Sequence, residues 1–104
     1  RPDLALEHLQ KALEINPDDA ELVYNLAAVL EATEDEEEAL IAYQRAEGLG
    51  IERAAVNIRN IGAKILGKRL KEEAVEEERK KKAEELAAKE LPKTEEKEMG
   101  SSRN

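Results

Sequence analysis

Three positions of this chain recur at an interval of 34 residues, and this period constrains the fold more than any other feature. The early positions are Ala5, Leu9 and Ala12, and their later counterparts are Ala39, Tyr43 and Ala46. A period of this size is typical of proteins built from stacked structural repeats. Each repeat buries its apolar face only against its neighbours, so we expect a stacked array that presents an extended binding surface.

Composition narrows the secondary structure to helices. Charged residues make up 40% of the 104 residues and aromatic residues only 2%, and the chain has no Phe, Trp or Cys. The core must therefore be built mainly from Leu, Ile, Val and Ala. A sheet is disfavoured because runs of β-branched and aromatic residues are missing. We predict one small all-α domain.

The net charge of −8 is unevenly distributed along the chain. Residues 1–53 contain 4 basic and 14 acidic side chains, residues 54–67 contain two basic ones and no acidic ones, and the remainder is balanced. Nucleic-acid binding needs clustered Lys and Arg, so we expect no nucleic-acid ligand. The acidic region instead favours a basic protein or peptide as the partner.

Capping signals predict where the first two helices begin and end. Pro2 and Asp3 open the first helix, because proline and acidic residues suit a first helical turn, and Asn16–Pro17 ends it. Asp18 is predicted to cap the second helix, which reaches a turn at Thr33–Glu36. The carboxylates that follow this turn are expected to complement the dipole of the third helix.

Glycine marks the end of the third helix and interrupts the fourth. Gly48 and Gly50 are predicted to end the third helix through left-handed backbone geometry. The fourth begins near Ala54, and its inward side chains are predicted to be Ile58, Ile61, Ile65 and Leu66. Gly62 lies inside this helix, where glycine costs about 1 kcal/mol relative to alanine. We therefore expect a neighbouring helix to approach Gly62 closely.

Two thirds of residues 71–91 are charged, which predicts a long and largely solvated helix. Its apolar stripe is thin and irregular and consists of Ala74, Val75, Ala83, Leu86, Ala87 and Leu91. A coiled coil is the alternative for this helix, although it would need regular apolar heptads. Pro92 is predicted to end the helix. Residues 93–104 have no apolar periodicity and are predicted to be disordered.

Two sets of residues in the middle of the chain have the spacing of a known repeat. The first set is Val23, Leu26, Ala27 and Leu30, and the second is Ala39, Tyr43 and Ala46. The two sets together resemble a tetratricopeptide repeat (TPR), with Val23 in place of the usual Trp and Ile51 in place of the usual closing Pro. The resemblance implies an antiparallel helix-hairpin solenoid that ends in a long charged helix.

The resemblance also implies a division of the chain into five segments. These are the second helix of a truncated repeat (1–17), a complete repeat (18–52), the first helix of a final degenerate repeat (53–70), a charged solvated or capping helix (71–91) and a disordered tail (92–104). On this interpretation the chain is the C-terminal fragment of a longer array.

In the family that the chain resembles, the first helices of successive repeats line a concave groove that binds extended peptides. The corresponding positions here are Glu21, Tyr24, Asn25, Ala28 and Ala32, followed in the next repeat by Arg59, Asn60 and Ala63. Asn25 and Asn60 fall at equivalent places and are hypothesised to hold a peptide backbone as a ladder of amides. The alternative is that both are inherited consensus residues without a role in binding.

A chaperone adaptor is a sharper alternative within the same family. It would clamp a C-terminal carboxylate with Lys, Arg and Asn side chains, and Asn25 and Arg59 could supply two of the three. The expected Lys near Ala55 or Val56 is missing, and Glu21 would repel a carboxylate. This alternative is therefore disfavoured.

No constellation in the sequence predicts catalysis, a metal site or a cofactor. His8 is the single histidine, and it falls on a helix face predicted to be exposed. The chain has no Cys/His cluster for zinc, and Gly48-Leu49-Gly50 lacks the strand and the lysine of a phosphate-binding loop. No apolar run is long enough to insert into a membrane. We expect an intracellular protein of the cytoplasm or nucleus.

These observations predict a protein-interaction scaffold that is not an enzyme and that binds an extended peptide or a partner helix within a larger complex. The alternative is a structural subunit of a large assembly whose charged C-terminal helix docks on a neighbour.

Overall fold

The chain is all-helical throughout the residues that the structure describes. The computed structural model describes residues 1–90 with their side chains and the helical backbone as far as residue 102. Four helices follow one another, and no strand occurs in this part of the chain: α1 is Pro2–Ile15, α2 is Ala20–Ala32, α3 is Glu36–Gly48 and α4 is Ala54–Ser102. The predicted all-α fold of helical hairpins is confirmed.

The chain divides into two compact units, Arg1–Gly67 and Lys68–Asn104. In the first unit α2 packs against both α1 and α3. Connections of three or four residues join these helices, so consecutive helices run antiparallel. This is the stacking of helical hairpins that the period of 34 residues predicts.

The core of the first unit is built from aliphatic side chains and one aromatic ring. Its buried members are Val23, Ala27, Leu30, Ala39, Ala42, Tyr43, Ala46, Ala54 and Ile61. Four of the nine are alanines from α2 and α3, which let these two helices approach closely. Leu26 and Leu40 are half-buried against this same cluster, and Tyr43 is only 1% exposed. The two helices of the complete repeat therefore share one core.

A side-chain cap fixes the start of α2, one residue later than predicted. The Asp19 carboxylate accepts a hydrogen bond from the Leu22 backbone N–H at 3.1 Å. Asp18, the predicted cap, instead lies 3.5 Å from Arg45 of α3, whose guanidinium also donates to the Pro17 carbonyl. The two adjacent aspartates are equivalent as capping residues by type, so residue type alone does not distinguish their roles.

Both α2 and α3 end with the same arrangement of backbone hydrogen bonds. After α3, the Ile51 N–H donates to the Ala46 carbonyl at 3.0 Å, and Gly50 has a φ of 110°. After α2, the Asp35 N–H donates to the Leu30 carbonyl at 2.9 Å. There a glutamate, Glu34, adopts the left-handed conformation with a φ of 65°. The bonding pattern satisfies carbonyls that the helix leaves unpaired, and Gly50 has its predicted role. Gly48 does not, because it is still helical.

Helix α4 differs from its prediction in three details. Ile58, Ile61 and Ile65 pack in or against the core as predicted, but Leu66 is 57% exposed, because it lies one residue past the inward face. No side chain or neighbouring backbone lies within 4 Å of a Cβ placed on Gly62, so the expected close approach is wrong. The helix bounds also pass Pro92, where the sequence predicted an end.

The second unit consists of the continuation of α4. Each of its described side chains, residues 68–90, is exposed, as predicted for a solvated helix. The exposed side chains include Val75 and Leu86 from the predicted apolar stripe. The disordered tail was predicted for residues 92–104, whose side chains lie outside the described residues, so it stays a prediction.

Candidate binding surface

One face of α2 is open while the opposite face forms the core. Val23, Ala27 and Leu30 are buried, whereas Glu21, Asn25 and Ala28 are exposed. Residues three and four apart lie side by side on a helix, so the exposed residues form a single row. Burial of the opposite face holds α2 in place, so the backbone that carries this row has a fixed position.

The first turns of α4 carry the second part of the predicted surface. Arg59, Asn60 and Ala63 are exposed, and they follow the half-buried Asn57 and Ile58. Asn25 and Asn60 are thus both accessible to a ligand. Whether they act together as an amide ladder stays a prediction.

The Tyr24 side chain of α2 is oriented by one contact to α3 and one to α4. Its hydroxyl donates a hydrogen bond to Asn57 Oδ1 at 2.9 Å. Its ring meets the Tyr43 ring edge to face, with centroids 5.3 Å apart and planes inclined by 67°. This geometry is a favourable one for two aromatic rings, because the positive edge of one faces the negative face of the other. Tyr24 therefore links the complete repeat to the helix that follows it.

Arg53 contacts two residues of the predicted surface, Tyr24 and Glu21. Its guanidinium carbon lies 4.4 Å from the centroid of the Tyr24 ring. Its Nη2 donates to Glu21 Oε2 at 2.7 Å. The hydrogen bond to Glu21 raises the pKa of Arg53. The structure thus brings Glu21 and Tyr24 together through a cation that stacks on the ring and bonds to the carboxylate.

Tyr43 supports this arrangement from the core side. Its ring is buried, and its hydroxyl donates to Glu31 Oε1 at 2.8 Å. Burial of the phenol, together with the Glu31 carboxylate, raises the pKa of Tyr43 well above its ordinary value. The hydroxyl therefore keeps its proton at neutral pH and remains a hydrogen-bond donor to Glu31.

Two residues of this surface, Arg53 and Asn57, were not identified from the sequence. Arg53 lies in the loop between α3 and α4, and a loop residue carries no helical periodicity that would assign it to a face. Asn57 follows Tyr24 by 33 residues, one short of the repeat interval. Repeat spacing gives no signal for Asn57, because the extra residue in the Gly48–Glu52 connection places equivalent positions of α2 and α4 35 residues apart, as for Asn25 and Asn60.

The described part of the chain offers neither a metal-binding cluster nor a membrane-spanning helix. The His, Asp and Glu side chains there form no cluster of three or more that could hold a metal ion. None of the helices, within the same residues, has the length and apolar character needed to cross a bilayer.

Comparison with known proteins places the chain among helical repeats. Residues 3–33, which comprise α1 without Pro2, the turn that follows and all of α2, match the model of a TPR repeat family. No curated protein and no solved structure matches the chain significantly. The family match and the stacked antiparallel helices, which continue beyond the matched residues, support a tetratricopeptide-repeat-type protein.

Proposed function

We propose that this chain is a protein-interaction module that binds an extended basic segment of a partner along α2 and the start of α4. TPR repeats typically bind proteins or peptides, and they are generally non-catalytic. The observation that carries the proposal is the exposed row of Glu21, Asn25 and Ala28 on a helix whose other face is buried. Such a surface offers hydrogen-bonding groups beside a small residue that lets a peptide backbone approach.

The charge of the repeat region supports a basic partner. Residues 1–53 have 4 basic and 14 acidic side chains, and the acidic ones include Glu21 on the proposed surface. A region of one sign attracts a partner of the opposite sign over distances of the order of the Debye length, about 8 Å at physiological salt. Binding should therefore weaken as the salt concentration rises.

The proposed contribution of Asn25 and Asn60 is tested by removing both amides. Peptides that bind the 104-residue chain are selected from a displayed library of basic sequences, and their dissociation constants are measured by fluorescence anisotropy. The double variant Asn25→Ala, Asn60→Ala should bind about tenfold more weakly, since each lost hydrogen bond costs about 0.5–1.5 kcal/mol.

The matched control removes two exposed amides from other helices. Gln10 lies on α1 and Gln44 on α3, and both are exposed. The variant Gln10→Ala, Gln44→Ala should bind the selected peptides as the parent chain does. If the two double variants bind equally well, the proposed surface is not the binding surface.

A second candidate function is a structural subunit that docks through the charged part of α4. It is favoured by the exposure of all described side chains over residues 68–90, including Val75 and Leu86. Sedimentation at several concentrations would detect self-association. Absence of added hydrogen-exchange protection over these residues in an isolated complex would exclude docking by this segment.

A further inference from the structure

The Tyr24 ring and the Glu21 carboxylate have the components of a binding site for an organic cation. The ring offers a face with negative electrostatic potential, and the carboxylate offers a hydrogen-bond acceptor of opposite charge. The ring is fixed before any ligand arrives, because α2 is held by its buried face and the Tyr24 hydroxyl bonds to Asn57, and Glu21 lies one helical turn before it on α2. In the structure a guanidinium fills this site, and it belongs to the chain itself.

The guanidinium that fills the site is held only at the surface. The Arg53 and Glu21 side chains are 57% and 58% exposed. Exposed ion pairs of this kind contribute little to stability, because water solvates both partners well when they separate. Arg53 also lies in the loop between α3 and α4 and takes no part in the core. It can therefore leave the Tyr24 ring without disturbing the packing of the helices.

We infer that Glu21 and Tyr24 form a recognition site for an arginine side chain of the partner, and that Arg53 occupies this site in the unbound chain and must be displaced. The inference rests on the proposed function and adds to it the residue type that the partner supplies. Because Arg53 already stacks on Tyr24 and bonds to Glu21, a cation of the partner must replace both of these contacts. This competition explains how an acidic surface can select for arginine. Lysine would lose this competition, since its ammonium cannot stack as a planar group and bond to Glu21 at once.

The test uses a small guanidinium probe, N-acetyl-arginine methylamide, and the full 104-residue chain. The chain has only two tyrosines, so the ring signals of Tyr24 and Tyr43 can be followed separately by NMR. Arg53→Ala should show saturable shifts of the Tyr24 ring, with a dissociation constant about fivefold lower than that of the parent chain. The buried Tyr43 ring should shift far less and reports that the fold is intact.

Three further measurements make the result decisive. Arg1→Ala removes an exposed arginine that pairs with Asp3 and lies outside the proposed surface, and it should bind the probe as the parent chain does. Adding Glu21→Gln to Arg53→Ala should abolish the saturable shift. If Arg53→Ala alters the Tyr43 signals, Arg53→Gln is measured by the same criteria.

Equal affinity of the Arg53→Ala and Arg1→Ala variants for the probe, or no shift of Tyr24, would overturn the inference. This failure is distinct from failure of the proposed function. The asparagine variants test whether peptides bind along α2 and α4 at all, whereas the arginine probe tests only the site at Tyr24.

Discussion

At the scale of single residues, the two tyrosines define the region in which function is proposed. Tyr43 is buried and bonds to Glu31, whereas Tyr24 lies half-buried between Tyr43 and Arg53. Together they connect the core to the surface through one edge-to-face contact. The sequence identified Tyr43 as a core residue and Tyr24 as a surface residue, but their mutual contact depends on how α2 and α3 pack.

The raised pKa of Tyr43 predicts a pH dependence of stability. An unfolded tyrosine loses its proton near pH 10, at which the folded chain still holds it. The unfolded state then binds fewer protons, so the stabilisation by Tyr43 is fully present below about pH 10 and is lost as the pH rises further.

Tyr43→Phe isolates this effect. At neutral pH the variant should be less stable by about 1–2 kcal/mol, because the bond to a carboxylate is lost. The difference in the free energy of unfolding, measured with urea, should shrink as the pH is raised above about 10. Parallel curves for the two proteins would contradict the prediction.

At the scale of elements, the helix ends follow from local sequence more closely than the helix faces do. Gly50 was predicted to end α3 and has a φ of 110°, as that role requires. The inward face of α4 was predicted one residue too wide, because Leu66 continues the apolar run but points away from the core. A run of apolar residues does not itself show how many of them the neighbouring helices cover.

Gly62 leads to a prediction for the stability of α4. A Cβ at this position would meet no atom of another helix within 4 Å, so Gly62→Ala should stabilise the first unit by about 0.5–1 kcal/mol through helix propensity. Gly50→Ala is the matched control, since its positive φ strains any other residue and the change should destabilise by about 1 kcal/mol. Thermal unfolding monitored by circular dichroism measures both. A loss of stability in Gly62→Ala would show that the glycine serves another purpose.

At the scale of the whole molecule, the two units differ in how their helices are stabilised. The helices of Arg1–Gly67 share a core, and Tyr24 packs edge to face against its buried Tyr43. The described residues of the second unit are all exposed, so the helix there depends on intrinsic propensity and on its own side chains. Helices without tertiary packing are only marginally stable in water.

This difference predicts two unfolding transitions. Near-UV circular dichroism reports only the first unit, because both tyrosines lie there, and it should give one cooperative transition. Far-UV circular dichroism reports all helices and should begin to decrease at lower temperature. Ala83→Gly in the exposed part of α4 should enhance this early loss, since glycine lowers helix propensity, and leave the tyrosine signal unchanged. Coincident transitions at both wavelengths would contradict the prediction.

The sequence by itself determined the helices, their pairing and the type of repeat, because the 34-residue period and the small alanines act through local and nearest-neighbour packing. It also determined which face of α2 is exposed, since helical periodicity assigns faces directly. Only the tertiary structure decided that Arg53 covers Tyr24, that Asn57 receives its hydroxyl bond, and that Asp19 rather than Asp18 caps α2. These contacts join residues far apart in sequence or distinguish chemically identical neighbours, and their geometry depends on the positions of whole helices.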